Sequence, residues 1–184
     1  MEKTMSTSKH RRVIYDLILT ALMTAVLAVL SQISIPTPFG IPLTLQTFAV
    51  ALLAYVLGWN YGLFAVGLYL VIGAIGVPVF ANFKGGLAAL IGPTGGFLIG
   101  FLLMALCLGR TRRLKHPLFI ILLSAAGLAL CHLFGIIWFS IVSARPFIDA
   151  FLLGSAPYLV KDILSVILAF FISAGVNRAL SKIR

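Results

Sequence analysis

The stretch Gly76–Phe101, GVPVFANFKGGLAALIGPTGGFLIGF, decides how the rest of the chain is read. Glycine or proline stands at Gly76, Pro78, Gly85, Gly86, Gly92, Pro93, Gly95, Gly96 and Gly100, in a run that is otherwise largely apolar. Asn82 and Lys84 lie within it, between two hydrophobic stretches of membrane grade. Irregular backbone at membrane depth is tolerated only where protein buries it or where it lines a cavity. The stretch is therefore expected to fold back over a covered pocket between helices.

Composition agrees with a membrane setting. Of 184 residues, 61% are hydrophobic and 10% charged, with a mean hydropathy of +1.15; soluble domains sit near 45–50% apolar and about 25% charged. A single integral membrane domain covering 1–184 is the expected unit. Its two cysteines, Cys107 and Cys131, fall inside apolar runs and read as small core residues, not as a disulfide or metal pair. No Cys/His spacing resembles a zinc site, so neither a metal nor a cofactor is expected.

Working outward, six apolar segments appear, at about 13–30, 44–57, 61–75, 93–108, 117–142 and 157–183. The fold class is all-α, with six transmembrane helices. The second and third segments are short, since crossing ~30 Å at 1.5 Å per residue takes about 20 residues. They either extend into the flanking apolar loops or form a hairpin in a locally thinned region. Pro93 is expected at the first helical position of the fourth segment, where its missing N–H costs nothing.

Charge placement supports the count. With six spans, both termini share a side with loops 58–60 and 109–116, and that side collects Lys3, Lys9, Arg11, Arg12, Arg110, Arg112, Arg113, Lys115, Arg178, Lys182 and Arg184. Only Lys84, Arg145 and Lys161 of the 14 basic residues fall opposite. The positive-inside rule then places both termini in the cytoplasm. Topology and anionic membrane lipid thus account for the net charge of +10, and no nucleic-acid partner is implied. The basic start followed by apolar sequence superficially suggests a signal peptide. No clear cleavage site follows it, so a retained first helix is expected.

Three external features converge. The loop 33–42 carries three prolines and no charge, which predicts a stiff apolar flap. The Asn82/Lys84 loop is the second; its polar residues read equally as pocket groups or as ordinary loop polarity. The third is Tyr158-Leu159-Val160-Lys161-Asp162 at the start of the last helix. An acid there is a ligand contact, a helix cap or half of a local ion pair, and the two neighbouring loops favour the ligand contact. Gln46 could reach the same mouth, with an interhelical hydrogen bond as its alternative role. In the first segment, Ala21, Thr24, Ala25 and Ala28 share a face, and Gly92, Gly96 and Gly100 do the same in the fourth. Small residues four apart let helices approach closely. Internal packing is the plain reading of both stripes, and one leaves room for an external partner.

These residues carry a resemblance. The stretches SQISIPTPFGIPLTLQTFAV, LGWNYGLFAVGLYLVIGAIGVPVF, KGGLAALIGPTGGFLIGF and APYLVKDILSVILAF occur in the order found in BioY. That family is the biotin-specific substrate-binding (S) component of energy-coupling-factor (ECF) vitamin transporters, and the similarity covers nearly the whole chain. It implies an S-component-like bundle of six helices in the bacterial cell membrane, with external loops capping a biotin pocket. It also implies high-affinity capture of biotin outside and delivery with a T component and two ATPase subunits. By the same resemblance, Ala21-x-x-x-Ala25 matches the contact with the T component, and Asp162 matches an acid that helps to bind biotin. Three residues on, many members carry Lys where this chain has Ser165. Lys161, Lys84 or neutral donors would then hold the biotin carboxylate.

Biotin chemistry fits the residues available. Its ureido ring offers N–H donors and a carbonyl acceptor, which Asp162 and Asn82 can meet. Its ring and alkyl chain want apolar and aromatic walls, for which Phe39, Phe80, Tyr69, Trp138 and the neighbouring Tyr158 are available. The carboxylate wants Lys or backbone N–H donors. A G-x-x-x-x-G-K-[ST] loop is absent, so any ATP must be used by other subunits. The rival readings are an S component for a different vitamin, a solitary transporter, and an intramembrane enzyme. For the last, H-E-x-x-H and G-x-S-x-G are both absent. His132, mid-span, reads as a neutral hydrogen-bonded side chain, and no enzyme is expected.

Overall fold

The computed structural model describes the backbone of residues 2–38 and 40–182, and side chains from residue 12 onward. Phe39, expected in the ligand wall, lies outside the described residues, as does the tail 183–184. Eight helices follow one another: α1 (Glu2–Ser31), α2 (Gln46–Leu57), α3 (Trp59–Ala74), α4 (Leu87–Ile91), α5 (Gly95–Arg110), α6 (Pro117–Val142), α7 (Phe147–Gly154) and α8 (Ala156–Ser181). Four stretches are long and apolar enough to cross a membrane, at Arg12–Ser31, Gly95–Arg113, Pro117–Val142 and Ala156–Ser181. This is a helical membrane protein. At 1.5 Å per residue, α2 and α3 reach only about 18 and 24 Å.

The shortness of α2 goes with its position. Eleven of its residues, from Gln46 and Thr47 to Leu57, are buried, so it is the central helix, apolar nearly all round. Helices α1, α3, α5 and α8 surround it. Gly58 alone joins α2 to α3, with φ +80, a left-handed value that glycine adopts without strain. That tip is held by the end of α5 and the turn that follows it. Arg112 Nη1 donates to Val56 O at 2.8 Å, and the Arg110 guanidinium lies 5.2 Å over the Trp59 ring. Loop 58–60 and the basic segment 110–113 therefore meet at one end of the bundle.

The glycine stripe of α5 is internal packing. A Cβ on Gly96 would overlap Trp138 Cβ, and one on Gly100 would stand 2.9 Å from Cys131 O and 3.1 Å from its Cα. From α6, Gly127 and Gly135 receive Leu108 and Phe97 in the same way. The stripe of α1 divides instead. Thr24 is buried, its hydroxyl donating to Thr20 O at 2.9 Å, whereas Ala21 and Ala25 face outward.

Three local expectations need correcting. Pro93 is not helical: α5 begins two residues later, and Gly95 N–H bonds back to Gly92 O at 3.0 Å across the turn that holds the proline. The second segment begins at Gln46, because Leu43–Thr44 pairs antiparallel with Ser34–Ile35 as a small hairpin, β1 and β2. The flap is thus built on strand pairing as well as proline stiffness. Finally, α7 lies between the fifth and sixth apolar segments, a helix that the six-segment pattern does not include.

The glycine-rich stretch folds onto the same end as the hairpin. Gly86 N–H donates to Gly73 O at 2.6 Å, and Phe80 and Lys84 pair across a tight turn. Phe80 is buried edge-on against Tyr69, with ring centroids 5.3 Å apart. Gly73 makes room for this ring, since a Cβ there would overlap Phe80 Cζ. Gln32 at the end of α1 clamps the stretch, donating to Val79 O at 3.0 Å and accepting from Phe83 N–H at 2.9 Å.

Candidate functional site

A cavity of about 70 Å³ lies where β2, the N-terminus of α2, the glycine-rich stretch, α5, α6 and the start of α8 converge. Phe80, Phe97, Leu98, Phe101 and Leu128 supply apolar wall; Thr44, Gln46, Thr47, Lys84, His132, Lys161 and Asp162 supply polar groups. Among the described residues, no cluster of three or more His, Cys, Asp or Glu is placed to hold a metal ion.

Asp162 is the centre of the polar half. It is 4% exposed on α8, in a transmembrane stretch where an unpaired carboxylate would be costly. His132 Nε2 of α6 lies 3.2 Å from Oδ2, and the Lys161 ammonium contacts Oδ1. The second nitrogen of His132, Nδ1, lies 2.7 Å from Ser155 Oγ. The ammonium is the closer of the two partners of Asp162. Asp162 is thus a buried carboxylate in the cavity wall with one oxygen on each of two partners, the His132 ring and the Lys161 ammonium.

Lys161 also donates to Thr44 O at 2.8 Å, which ties the hairpin to α8. Tyr158 makes a second tie, its hydroxyl donating to Ile41 O and lying 3.1 Å from Thr37 Oγ1. Gln46 is held in place from behind. Its Nε2 donates to the Tyr69 hydroxyl at 2.8 Å, and its Oε1 accepts from Thr44 Oγ1 at 3.1 Å. The site thus presents a carboxylate acceptor, an ammonium and aromatic rings at one end of the bundle, with its polar groups fixed by neighbours on five elements. A ligand with N–H donors at one end, an apolar body and an anionic group matches that set.

A family model described as the BioY family matches residues 1–182. The chain belongs to the BioY family. It is 40% identical over 166 residues to the biotin transporter BioY of Thermotoga maritima, covering 89% of this chain and 96% of that one. It is 39% identical to the biotin transporter BioY2 of Lactococcus lactis subsp. cremoris, covering 91% and 93%. The crystal structure of the S-component for biotin from an ECF-type ABC transporter superposes with a TM-score of 0.84 at 26% identity, over 91% of this chain and 93% of that one. Membership of the BioY family makes this a transport protein and not an enzyme.

Within this BioY chain, the expected site residues separate cleanly. Asp162, Lys161, Lys84, Gln46, Tyr158 and Phe80 line the cavity. Four do not. Asn82 sits outside, exposed, in a left-handed turn with φ 59, and accepts a hydrogen bond from Ser34 Oγ, so it fixes loop against hairpin. Tyr69 lies behind the wall, its hydroxyl shared among Gln46, Ser31 and Val79. Trp138 is a wedge between α5 and α6, donating from Nε1 to Gly92 O at 3.0 Å. Ser165 is buried but does not reach the cavity. One helical turn from Asp162 is thus already outside the site, and Lys161 is the cation that α8 supplies.

His132 is the principal residue that sequence reading missed; Thr47 and Phe97 are others. From sequence His132 reads as a neutral hydrogen-bonded side chain, and the structure adds its contact with Asp162. The signal was present in the two ionisable side chains, His132 and Asp162, lying in separate apolar spans, because such groups inside a membrane pair with one another.

Proposed function

We propose that this chain captures biotin at the outer face of the bacterial cell membrane as the S component of an ECF-type transporter, with no cofactor of its own. The observation that carries this reading is Asp162, a carboxylate buried in the cavity wall with Lys161 and His132 as its partners. The ureido N–H groups donate to that side chain, the fused rings lie among Phe80, Phe97 and Phe101, and Lys161 turns from Asp162 to meet the carboxylate of biotin. A cavity of about 70 Å³ is smaller than the ~300 Å³ or more of a typical ligand pocket. Binding therefore includes release of the Lys161–Thr44 tie and outward movement of the hairpin, which closes again over the ligand. Titration of the purified protein in detergent with biotin, against other water-soluble vitamins, tests the reading. Saturable binding of biotin alone supports it, and preference for another vitamin contradicts it.

In the same reading the chain crosses the membrane six times, with α2 and α3 as short spans and both termini cytoplasmic. The meeting of loop 58–60 with Arg110 and Arg112 at one end of the bundle supports that arrangement. A C-terminal reporter fusion is expected to read as cytoplasmic, and a cysteine at position 84 to be labelled from outside. External activity of the C-terminal reporter contradicts six spans.

Energy comes from partners, a T component and two ATPase subunits, and the outward face of α1 at Ala21 and Ala25 is the proposed docking surface. Ala21→Trp or Ala25→Trp is expected to lower uptake and recovery of the T component about tenfold, the equivalent of ~1.4 kcal/mol, while biotin binding by the isolated protein is unchanged. Loss of biotin binding in these variants would make the stripe internal packing.

A further inference from the structure

A carboxylate offers two equivalent oxygens, and on a helix its side chain has several rotamers to choose among. In this cavity the two oxygens of Asp162 are not equivalent. Oδ2 faces His132 Nε2 at 3.2 Å, whereas Oδ1 is in contact with the Lys161 ammonium, a partner carried on a long side chain that can swing away. What separates them is a chain of groups coming from outside the wall. Ser155, 1% exposed at the junction of α7 and α8, does not line the cavity. Its backbone is fixed on both sides: its N–H donates to Phe151 O at 3.0 Å, and its carbonyl accepts from Tyr158 N–H at 2.9 Å. Its Oγ lies 2.7 Å from His132 Nδ1. The imidazole is held edge-on to the Phe97 ring, with centroids 6.0 Å apart and planes at 85°. A neutral ring with its proton on Nε2 satisfies both contacts, accepting from Ser155 and donating to Asp162.

We propose that His132, oriented by Ser155, is a positioning residue that holds Asp162 by Oδ2, so that Oδ1 is the oxygen that meets the N–H donors of the ligand when Lys161 turns away from it. The inference rests on the biotin-binding reading above and adds to it the device that gives the acid a single direction. The order Ser155, His132, Asp162 draws on α6, the α7–α8 junction and α8, so the direction of the acceptor is set by packing of the bundle and not by α8 alone. Without His132, nothing holds Oδ2, and the carboxylate is free to follow the Lys161 ammonium and keep the ion pair that ligand binding must break.

A double-mutant cycle tests this. Biotin affinity is measured by titration in detergent for the wild type, His132→Leu, His132→Gln, Ser155→Ala, Asp162→Asn and the doubles His132→Leu/Asp162→Asn and Ser155→Ala/Asp162→Asn. His132→Leu is expected to weaken binding about tenfold, and His132→Gln, which keeps an N–H donor, to recover most of that loss. Ser155→Ala is expected to weaken binding about threefold, because it acts through His132 alone. In the Asp162→Asn background both further changes are expected to have almost no effect, since residues acting through one group are not additive. Losses that multiply, or wild-type affinity in His132→Leu, overturn the positioning role. Should His132→Leu fail to fold, the Ser155→Ala and His132→Gln arms decide alone. A wild-type protein that does not bind biotin overturns the functional reading as well; a wild type that binds it, with multiplicative losses, overturns only the role of His132.

Discussion

Asp162→Asn is expected to weaken biotin binding about 10- to 100-fold, the equivalent of ~1.5–3 kcal/mol for a hydrogen bond to a charged group. The amide nitrogen that replaces one oxygen is a donor, and in either orientation it opposes another donor. Turned toward the cavity it meets the ureido N–H groups and the Lys161 ammonium. Turned away, it meets His132 Nε2, now 3.2 Å from Oδ2. The fold is expected to persist, because the side chain of Lys161 is 22% exposed and its ammonium can move toward water when its counter-charge is removed. Affinity by titration, with far-ultraviolet circular dichroism as the control for folding, checks both halves. Unchanged affinity in intact protein would make Asp162 a structural ion-pair partner and not a ligand contact.

The second large effect concerns the bundle. Gly100→Leu is expected to destabilise the protein by about 3 kcal/mol, at the upper end of ordinary overpacking. A Cβ at this position already stands 2.9 Å from Cys131 O, a backbone atom that moves only if α6 moves. Because α5 brings Phe97 and Phe101 to the cavity, and α6 brings His132, the same change is expected to reduce biotin binding. The thermal midpoint of the detergent-solubilised variant, with and without biotin, is the measurement. A midpoint equal to wild type would mean that α5 and α6 pack more loosely than their glycines indicate.

Most of the bundle was legible because membrane helices announce themselves by length and apolarity, and α6 begins and ends where hydrophobicity does. Even the brevity of α2 and α3 was visible. Its reason was not, because burial of α2 on nearly every side is a property of its neighbours. Short elements were harder. The hairpin at Ser34–Ile35 and Leu43–Thr44 is only two residues deep on each strand, too few for an alternating pattern to register. Pro93 misled for a related reason: a proline suits the first helical position, but it suits a turn as well.

The site divided along the same line. Asp162 and Lys161 could be picked out because charges are rare in an apolar helix. The pairing of Asp162 with His132 spans thirty positions of sequence, and which of several aromatic residues would face the cavity depended on helix rotation. Tyr69 and Trp138 are aromatic and close by, yet the hydroxyl of one and the indole of the other are spent on holding the walls together. Asn82 combined a suitable side chain with a suitable loop, and its left-handed backbone turned it to a structural task.

The central claim is that the cavity around Asp162 takes biotin, and isothermal titration of the purified chain with biotin tests it most directly. The account predicts saturable binding at one site per chain, reduced at least tenfold by Asp162→Asn. Absence of heat with folded wild-type protein, or equal binding by wild type and Asp162→Asn, would contradict it.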